Sequence, residues 1–240
     1  MAAGLPPDGG AGGSGAEWDE RLGWAFGLTS DDPAVREAAL ARLVAARRHV
    51  ADALCRVNEM WLLTRPPGAE EQDREPAFAE ARRSHRRAQS ASLPEALWDC
   101  PPGADPAAWP GLPYALLFLE WEARYPAEWT RCAKAWGTKQ GLVRDLARAG
   151  HEETVRAKLV DLVESVVLRP YRCKDREYVR VARAVDGADL RGRLARAAAA
   201  DSPWARCQAG YVLWLLDRPD LPNTPRVWRA WVAGGSAAFG

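Results

Sequence analysis

From Val35 onward, Val35, Ala39, Leu43, Ala46, Val50, Leu54, Val57 and Trp61 recur at steps of 4, 4, 3, 4, 4, 3 and 4. Only a helix gathers that spacing on one side, because three and four residues bracket its turn. The seam predicts a helix running to about Thr64, with a possible break at Arg48-His49 that would divide it in two. At about 1.5 Å per residue it spans roughly 40 Å. A rod of that length buries its apolar side only if other helices lie along it. The same rhythm fits a coiled-coil seam, but inside a globular chain it reads as a core face.

The remaining segments extend this pattern. Trp18, Leu22 and Phe26 fall four apart, giving a short helix that ends near Leu28. Pro33 suits the first turn of the long helix, where a missing N–H costs nothing. Residues 113–125 (PYALLFLEWEARY) are apolar nearly all round at their start and predict a central helix. Pro126 opens another helix carrying Trp129, Cys132 and Trp136, interrupted at Gly137-Thr138, and LVRDLARAG ends on Gly150 as its cap. Five more helices follow Gly150. No segment alternates strictly enough to be a strand, so the expected fold class is all-α.

Composition sets the boundaries. Residues 1–15 are Gly/Ala/Pro-rich and read as a disordered tail, followed by an N-terminal helical block at 16–64. Between 65 and 111 prolines and an acidic patch break the pattern, leaving room for one nearly all-polar helix at 76–90. This region reads as an insertion or linker before a C-terminal block at 112–233 and a short tail at 234–240. The 240 residues are 48% hydrophobic and 27% charged, enough for a buried core. With 33 basic and 32 acidic residues the net charge is +1, which disfavours a dedicated nucleic-acid binder. Five separated cysteines offer no metal-ligand spacing and read as reduced core residues. No metal and no cofactor is expected. The N-terminus lacks a basic start and apolar core, no stretch is apolar enough to span a membrane, and the expected location is cytoplasmic.

One grammar is written twice. Residues 31–44 (DDPAVREAALARLV) and 201–216 (DSPWARCQAGYVLWLL) share Asp31 and Asp201, Pro33 and Pro203, Arg36 and Arg206, Ala39 and Ala209, and Leu43 and Leu213. The acid accepts free N–H groups at a helix start, the proline fits the first turn, and the arginine can return to an acid. The alanine lets another helix approach. Asp175 with Val179-Arg180, and Val155-Arg156, are weaker copies. This pattern resembles HEAT and HEAT-like repeats over residues 16–64 and 151–233, and only loosely over 112–150. Arg156, Arg180 and Arg206 lie 24 and 26 residues apart, closer than the roughly 40 of a two-helix unit, so the array would be irregular. The resemblance implies stacked antiparallel helix pairs with a concave face that binds a peptide, a protein or a nucleic acid.

Twelve tryptophans supply the candidate binding residues. Trp121, Trp129, Trp136, Trp204, Trp228 and Trp231 could line an aromatic groove or simply fill a thin core. Arg82, Arg83, Arg86 and Arg87 form the one concentrated basic run and could meet phosphate or an acidic partner, or be neutralised by nearby acids. His49, His85 and His151 stand apart from one another and from any nucleophile. No phosphate loop, nucleophile elbow or zinc-protease motif occurs. The expected function is therefore a non-catalytic binding module for another protein, with no membrane partner and no oligomeric state legible. HEAT-like-repeat DNA glycosylases are the enzymatic alternative: their likeness implies an aromatic and an aspartate acting on cationic bases, a pair Trp98 and Asp99 would imitate. An accessory subunit of a larger complex is the third reading.

Overall fold

Ser14 caps the first helix, α1 (Gly15–Leu22). Its hydroxyl accepts from the Glu17 N–H at 3.4 Å, while the Glu17 carboxylate accepts from the Ser14 N–H at 3.0 Å. That reciprocal capping box brings order one residue before the expected end of the tail. The computed structural model describes residues 14–63, 75–100, 105–148 and 150–235. The expected tails at 1–13 and 236–240, and the acidic patch with Glu70, Glu71 and Asp73, lie outside the described residues. Within the described residues the chain is all-α: eleven α-helices, short 3-10 turns and no strand. It divides into two compact units, one reaching Tyr114 apart from residues 105–107, the other comprising 105–107 and everything from Ala115.

In the first unit, α1 passes into a 3-10 turn at Gly23–Thr29 and then α2 (Pro33–Leu63), unbroken over 31 residues. No Gly or Pro falls between Ala34 and Leu63, so nothing interrupts the ladder at Arg48-His49. Ala39, Leu43, Val50 and Ala53 are buried, whereas Val35, Leu54 and Trp61 are exposed. The buried stripe therefore follows only the middle of the seam. α3 (Glu75–Ser90) folds back antiparallel along α2, with Phe78 5.7 Å from Trp61, Ala88 clustered with Val50 and Ala53, and Glu95 3.9 Å from Arg47. Its contact stripe is small, Ala81 and Ala88, which is why the sequence looks polar all round. Residues 75–99 thus pack inside the first unit, in the region that the sequence suggested was an insertion.

The first unit also holds a tryptophan knot. Trp18 meets Trp109 edge-on at 5.5 Å and stacks on Tyr114 at 5.6 Å, and the Tyr114 hydroxyl donates to Asp19 at 2.7 Å. Gly111 is pressed against it: a Cβ there would sit 2.3 Å from Trp109 Cζ2 and 2.7 Å from Trp18 Cη2.

The second unit contains most of α4 (Leu112–Arg124), then α5 (Pro126–Cys132), α6 (Trp136–Leu146), α7 (Glu153–Leu168), α8 (Tyr178–Ala184), α9 (Ala188–Ala198), α10 (Pro203–Leu216) and α11 (Pro225–Gly235). α7 packs on α8, α9 and α10, and α9 lies along α10. Two boundaries differ from expectation. The break falls before Trp136, where Ala133 and Lys134 N–H groups both donate to the Trp129 carbonyl at 2.8 and 3.0 Å and Lys134 adopts a left-handed φ of 48°. Gly137 and Thr138 then sit inside α6. That helix ends at Leu146 rather than Gly150, with the His151 ring donating to the Leu146 carbonyl at 2.6 Å. The cysteines are not core residues either: Cys55 and Cys173 are exposed and the other three are half-buried.

The doubled grammar has a shared local geometry. Pro33 and Pro203 open α2 and α10, and caps come from the Asp32 carboxylate and the Ser202 hydroxyl. Arg36 donates to the Ser30 carbonyl at 2.8 Å, and Arg206 to the Ala200 carbonyl at 3.1 Å, each reaching six residues back. Both arginines fasten the preceding turn through its backbone carbonyls. In the weaker copies, Arg156 crosses to the Val185 and Asp186 carbonyls at the end of α8, while Arg180 pairs with Glu177.

Gly111→Ala is expected to destabilise the first unit by more than ~2 kcal/mol, because neither indole can retreat from a well-packed knot without opening a void. Urea unfolding followed by tryptophan fluorescence checks this. An unchanged midpoint would show that the knot yields freely.

Candidate functional site

α4 carries two carboxylates in an otherwise apolar surround, and Glu122 is completely buried. A buried carboxylate must be paired, and here its partners converge from three places. Lys139 of α6, itself fully buried, donates to Glu122 at 2.9 Å and to Asp175 at 2.6 Å. Arg169 donates to Glu122 at 2.8 Å and to Asp175 at 2.9 Å. Arg172 lies 3.2 Å from Glu122, its backbone N–H donates to Asp175 at 2.6 Å, and its guanidinium reaches the Thr130 hydroxyl of α5. Three cations against two carboxylates leave one positive charge in excess.

Aromatic faces attend to that excess. Arg172 lies 5.3 Å from the Trp136 ring and 6.0 Å from Trp129, and Lys139 lies 5.6 Å from Trp136 and 5.5 Å from Tyr178. The negative ring faces favour cations that water no longer reaches. Burial lowers the Arg172 pKa, with Arg169 adding to the effect against Glu122 and Asp175. Burial, reinforced by Glu122 and Asp175, holds the Tyr178 hydroxyl well above its ordinary range, so it stays protonated.

Beside this cluster is a cavity of about 30 Å³ between α7, α8, α10 and α11. Valines wall it, and Tyr171, Asp175, Arg176, Tyr178, Gln208, Tyr211 and Trp228 complete its lining. Trp228 meets Tyr211 edge-on at 4.7 Å, Trp231 lies 5.3 Å from Tyr211, and the Tyr211 hydroxyl donates to Asn223 at 3.1 Å. Asn223 in turn donates to the Arg176 carbonyl. Gln208, from the cavity lining, donates to the Arg169 carbonyl at 2.8 Å, tying α10 to the end of α7. One turn before Gln208 stands Trp204, 56% exposed, and at the end of α7 stand Leu168 and Tyr171, 48% and 43% exposed. Aromatic and aliphatic side chains thus face solvent around the tie.

A larger cleft of about 330 Å³ lies between α4 and α7. Three of its four charged side chains are already paired, Glu120 with Arg124 at 3.1 Å and Asp161 with Arg193 at 2.6 Å. The smaller aromatic cavity has the less satisfied lining and is the better candidate.

The predicted site residues scatter. Trp121 and Trp129 are fully buried and cannot reach a partner; together with half-buried Trp136 they pave the core and the charge cluster. Trp228 and Trp231 come together on Tyr211, while Trp204 stands exposed two turns earlier on α10. Arg83 and Arg87 both pair with Glu80, at 2.8 and 2.7 Å, and Arg82 lies 5.8 Å from the Phe78 ring, so the basic run is partly satisfied locally; Arg86 is exposed beside them. Trp98 and Asp99 are exposed on a 3-10 turn at Glu95–Asp99 in the first unit. Desolvation raises the Asp99 pKa and Arg21 opposes it; a carboxylate meant to stabilise a sugar cation is better served by the reverse. The charge cluster, Tyr171 and Tyr178 were not anticipated. Glu122 inside ALLFLEWEA was the available signal, since a charge in an apolar helix demands partners. Among the described residues no group of three or more His, Cys, Asp or Glu is placed to hold a metal, and no helix is long and apolar enough to cross a membrane. Compared with known proteins the chain finds no match: no protein-family model, no curated protein and no solved structure is similar to it.

Lys139→Ala leaves two buried carboxylates short of a cation and is expected to cost about 3–5 kcal/mol in chemical unfolding; a loss below ~1 kcal/mol would mean that the arginines suffice. A second expectation concerns acid. Burial alone would raise the Glu177 pKa, but hydrogen bonds from Arg144 and Gln140 outweigh it and hold the carboxyl at about 2, below its ordinary 4.5. A depressed folded-state pKa gives stability that is present above 4.5 and lost as pH falls towards 2. The difference in unfolding midpoint between the parent chain and Glu177→Gln should therefore shrink across that window. A constant difference would contradict it.

Proposed function

We propose that the chain is a helical, HEAT-like binding module whose second unit docks another protein on the face around Trp204, Tyr171, Leu168 and Trp228. The observation that carries this reading is the exposure of three large apolar side chains, Leu168, Tyr171 and Trp204, around the Gln208–Arg169 tie and beside an aromatic-rimmed cavity. Aromatic anchors beside arginine are the composition of interface hot spots, where a few bulky residues carry most of the binding energy. The shared helix-opening geometry of α2 and α10 supports the repeat-like reading, in which successive helix pairs present one side to a partner.

The test is affinity capture from the native host's lysate, in nuclease-treated and untreated halves, using the parent chain and a Trp204→Ala/Tyr171→Ala variant. Both side chains are exposed, so the variant should keep its helical circular-dichroism signal and melting temperature. A stoichiometric protein that survives nuclease and is lost with the variant is the expected result. Recovery only of nucleic acid, indifferent to the variant, would replace this reading with a nucleic-acid function.

A further inference from the structure

We propose that the cavity beneath Trp228 receives a carboxylate-bearing side chain from an acidic segment of the partner protein, held by the Tyr178 hydroxyl and the Arg176 guanidinium. This rests on the docking reading above and names its occupant.

Three observations converge on that chemistry. Tyr178 lines the cavity, is 3% exposed, and its hydroxyl has no hydrogen-bond partner among the described residues. A buried donor without an acceptor is costly, and an arriving carboxylate would satisfy it. Arg176 also lines the cavity and makes no ion pair among the described residues. The one carboxylate in the lining, Asp175, is occupied by Lys139, Arg169 and the Arg172 N–H. The cluster behind it carries one excess positive charge. With Asp175 already neutralised, the Arg176 guanidinium is the uncompensated charge of the lining, and it favours an anionic side chain over a basic one.

The apolar walls suit the rest of such a side chain. Val163, Val167 and Val212 offer contact to methylene groups, while Tyr171, part lining and part exposed, and Trp204 outside suit a neighbouring bulky residue of the segment. At about 30 Å³ the cavity has room for roughly one water molecule, so the side chain enters as Trp228 turns away from Tyr211. Exposed Arg226 and Arg229 on α11 flank Trp228 in sequence and extend the positive surface.

The experiment is selection of short random peptides displayed on phage against the immobilised full chain. Parallel selections use Tyr178→Phe, Arg176→Gln and the Trp204→Ala/Tyr171→Ala variant, each first checked for a native melting profile. Tyr178→Phe should leave the unliganded fold intact, because the lost hydroxyl has no partner to abandon. Peptides pairing Glu or Asp with a bulky apolar residue are expected, and a synthetic copy of the best should bind Tyr178→Phe and Arg176→Gln about tenfold or more weakly. Neutral or basic peptides that are still lost on the aromatic variant would keep the docking face and overturn the acidic occupant. Acidic peptides that bind all variants equally would overturn the cavity as their receptor. No enrichment over the aromatic variant would overturn the docking reading as well.

Discussion

Glu122 and Asp175 are buried acidic side chains, and the second unit is arranged around the cations that pair with them. Removing both charges from water costs several kcal/mol each, so the cluster is poor as a source of net stability and strong as a constraint. Any register that displaces Lys139 from between the two carboxylates leaves a charge stranded. The constraint reaches α4 through Glu122, α5 through Thr130, α6 through Lys139, the end of α7 through Arg169, and the turn leading into α8 through Asp175. Gln208 adds α10 by holding the Arg169 carbonyl. α9 joins separately, with Arg193 bridging to Asp161 and Glu164 of α7 at 2.6 and 2.8 Å.

The tryptophans make sense beside that constraint. Trp129 and Trp136 stand against Arg172, and Trp136 and Tyr178 against Lys139, so their ring faces meet the cation excess as well as filling space. Trp18, Trp109, Trp121 and Trp129 have indole N–H groups without hydrogen-bond partners among the described residues. Their apolar bodies contribute enough packing to tolerate an unused donor. A high tryptophan content is thus mainly an answer to thin helical layers. Trp204, with more than half its surface exposed and no packing role to explain that, belongs to a different category.

Much of the fold was legible because helix formation leaves a local record. Spacing gave α2 and the five helices after Gly150, and Pro33, Pro126 and Pro203 marked helix starts. What misled was also local. Gly137-Thr138 looked like a break, yet glycine is tolerated within α6, while Lys134 supplied the left-handed turn that usually signals glycine. The polar texture of α3 concealed a stripe made only of alanines. The site was less legible because it is assembled from positions far apart: Glu122, Lys139, Asp175 and Arg169 share no motif, and only Glu122's apolar setting betrays them. The doubled grammar marked the starts of α2 and α10, and the arginine of the α10 copy secures backbone carbonyls.

α10 joins the charge cluster to the exposed aromatic side chains. Its inward residues Gln208, Val212 and Leu215 are buried, with Gln208 fastened to the connection that carries Arg169. Its stripe of Trp204, Tyr211 and Trp214 carries an exposed indole at one end, the seat of α11 in the middle, and at the other a ring covered by Arg218 at 4.9 Å. The charge cluster is therefore connected through Arg169 and Gln208 to the helix bearing Trp204. Conversely, a ligand that lifts Trp228 from Tyr211 works on the same helix from the other side. The cavity lies between these two attachments and has Asp175 in its wall, so filling it touches the cluster that fixes the helices around it. The cavity is thus bounded on one side by paired charges and on the other by the aromatic contacts that seat α11.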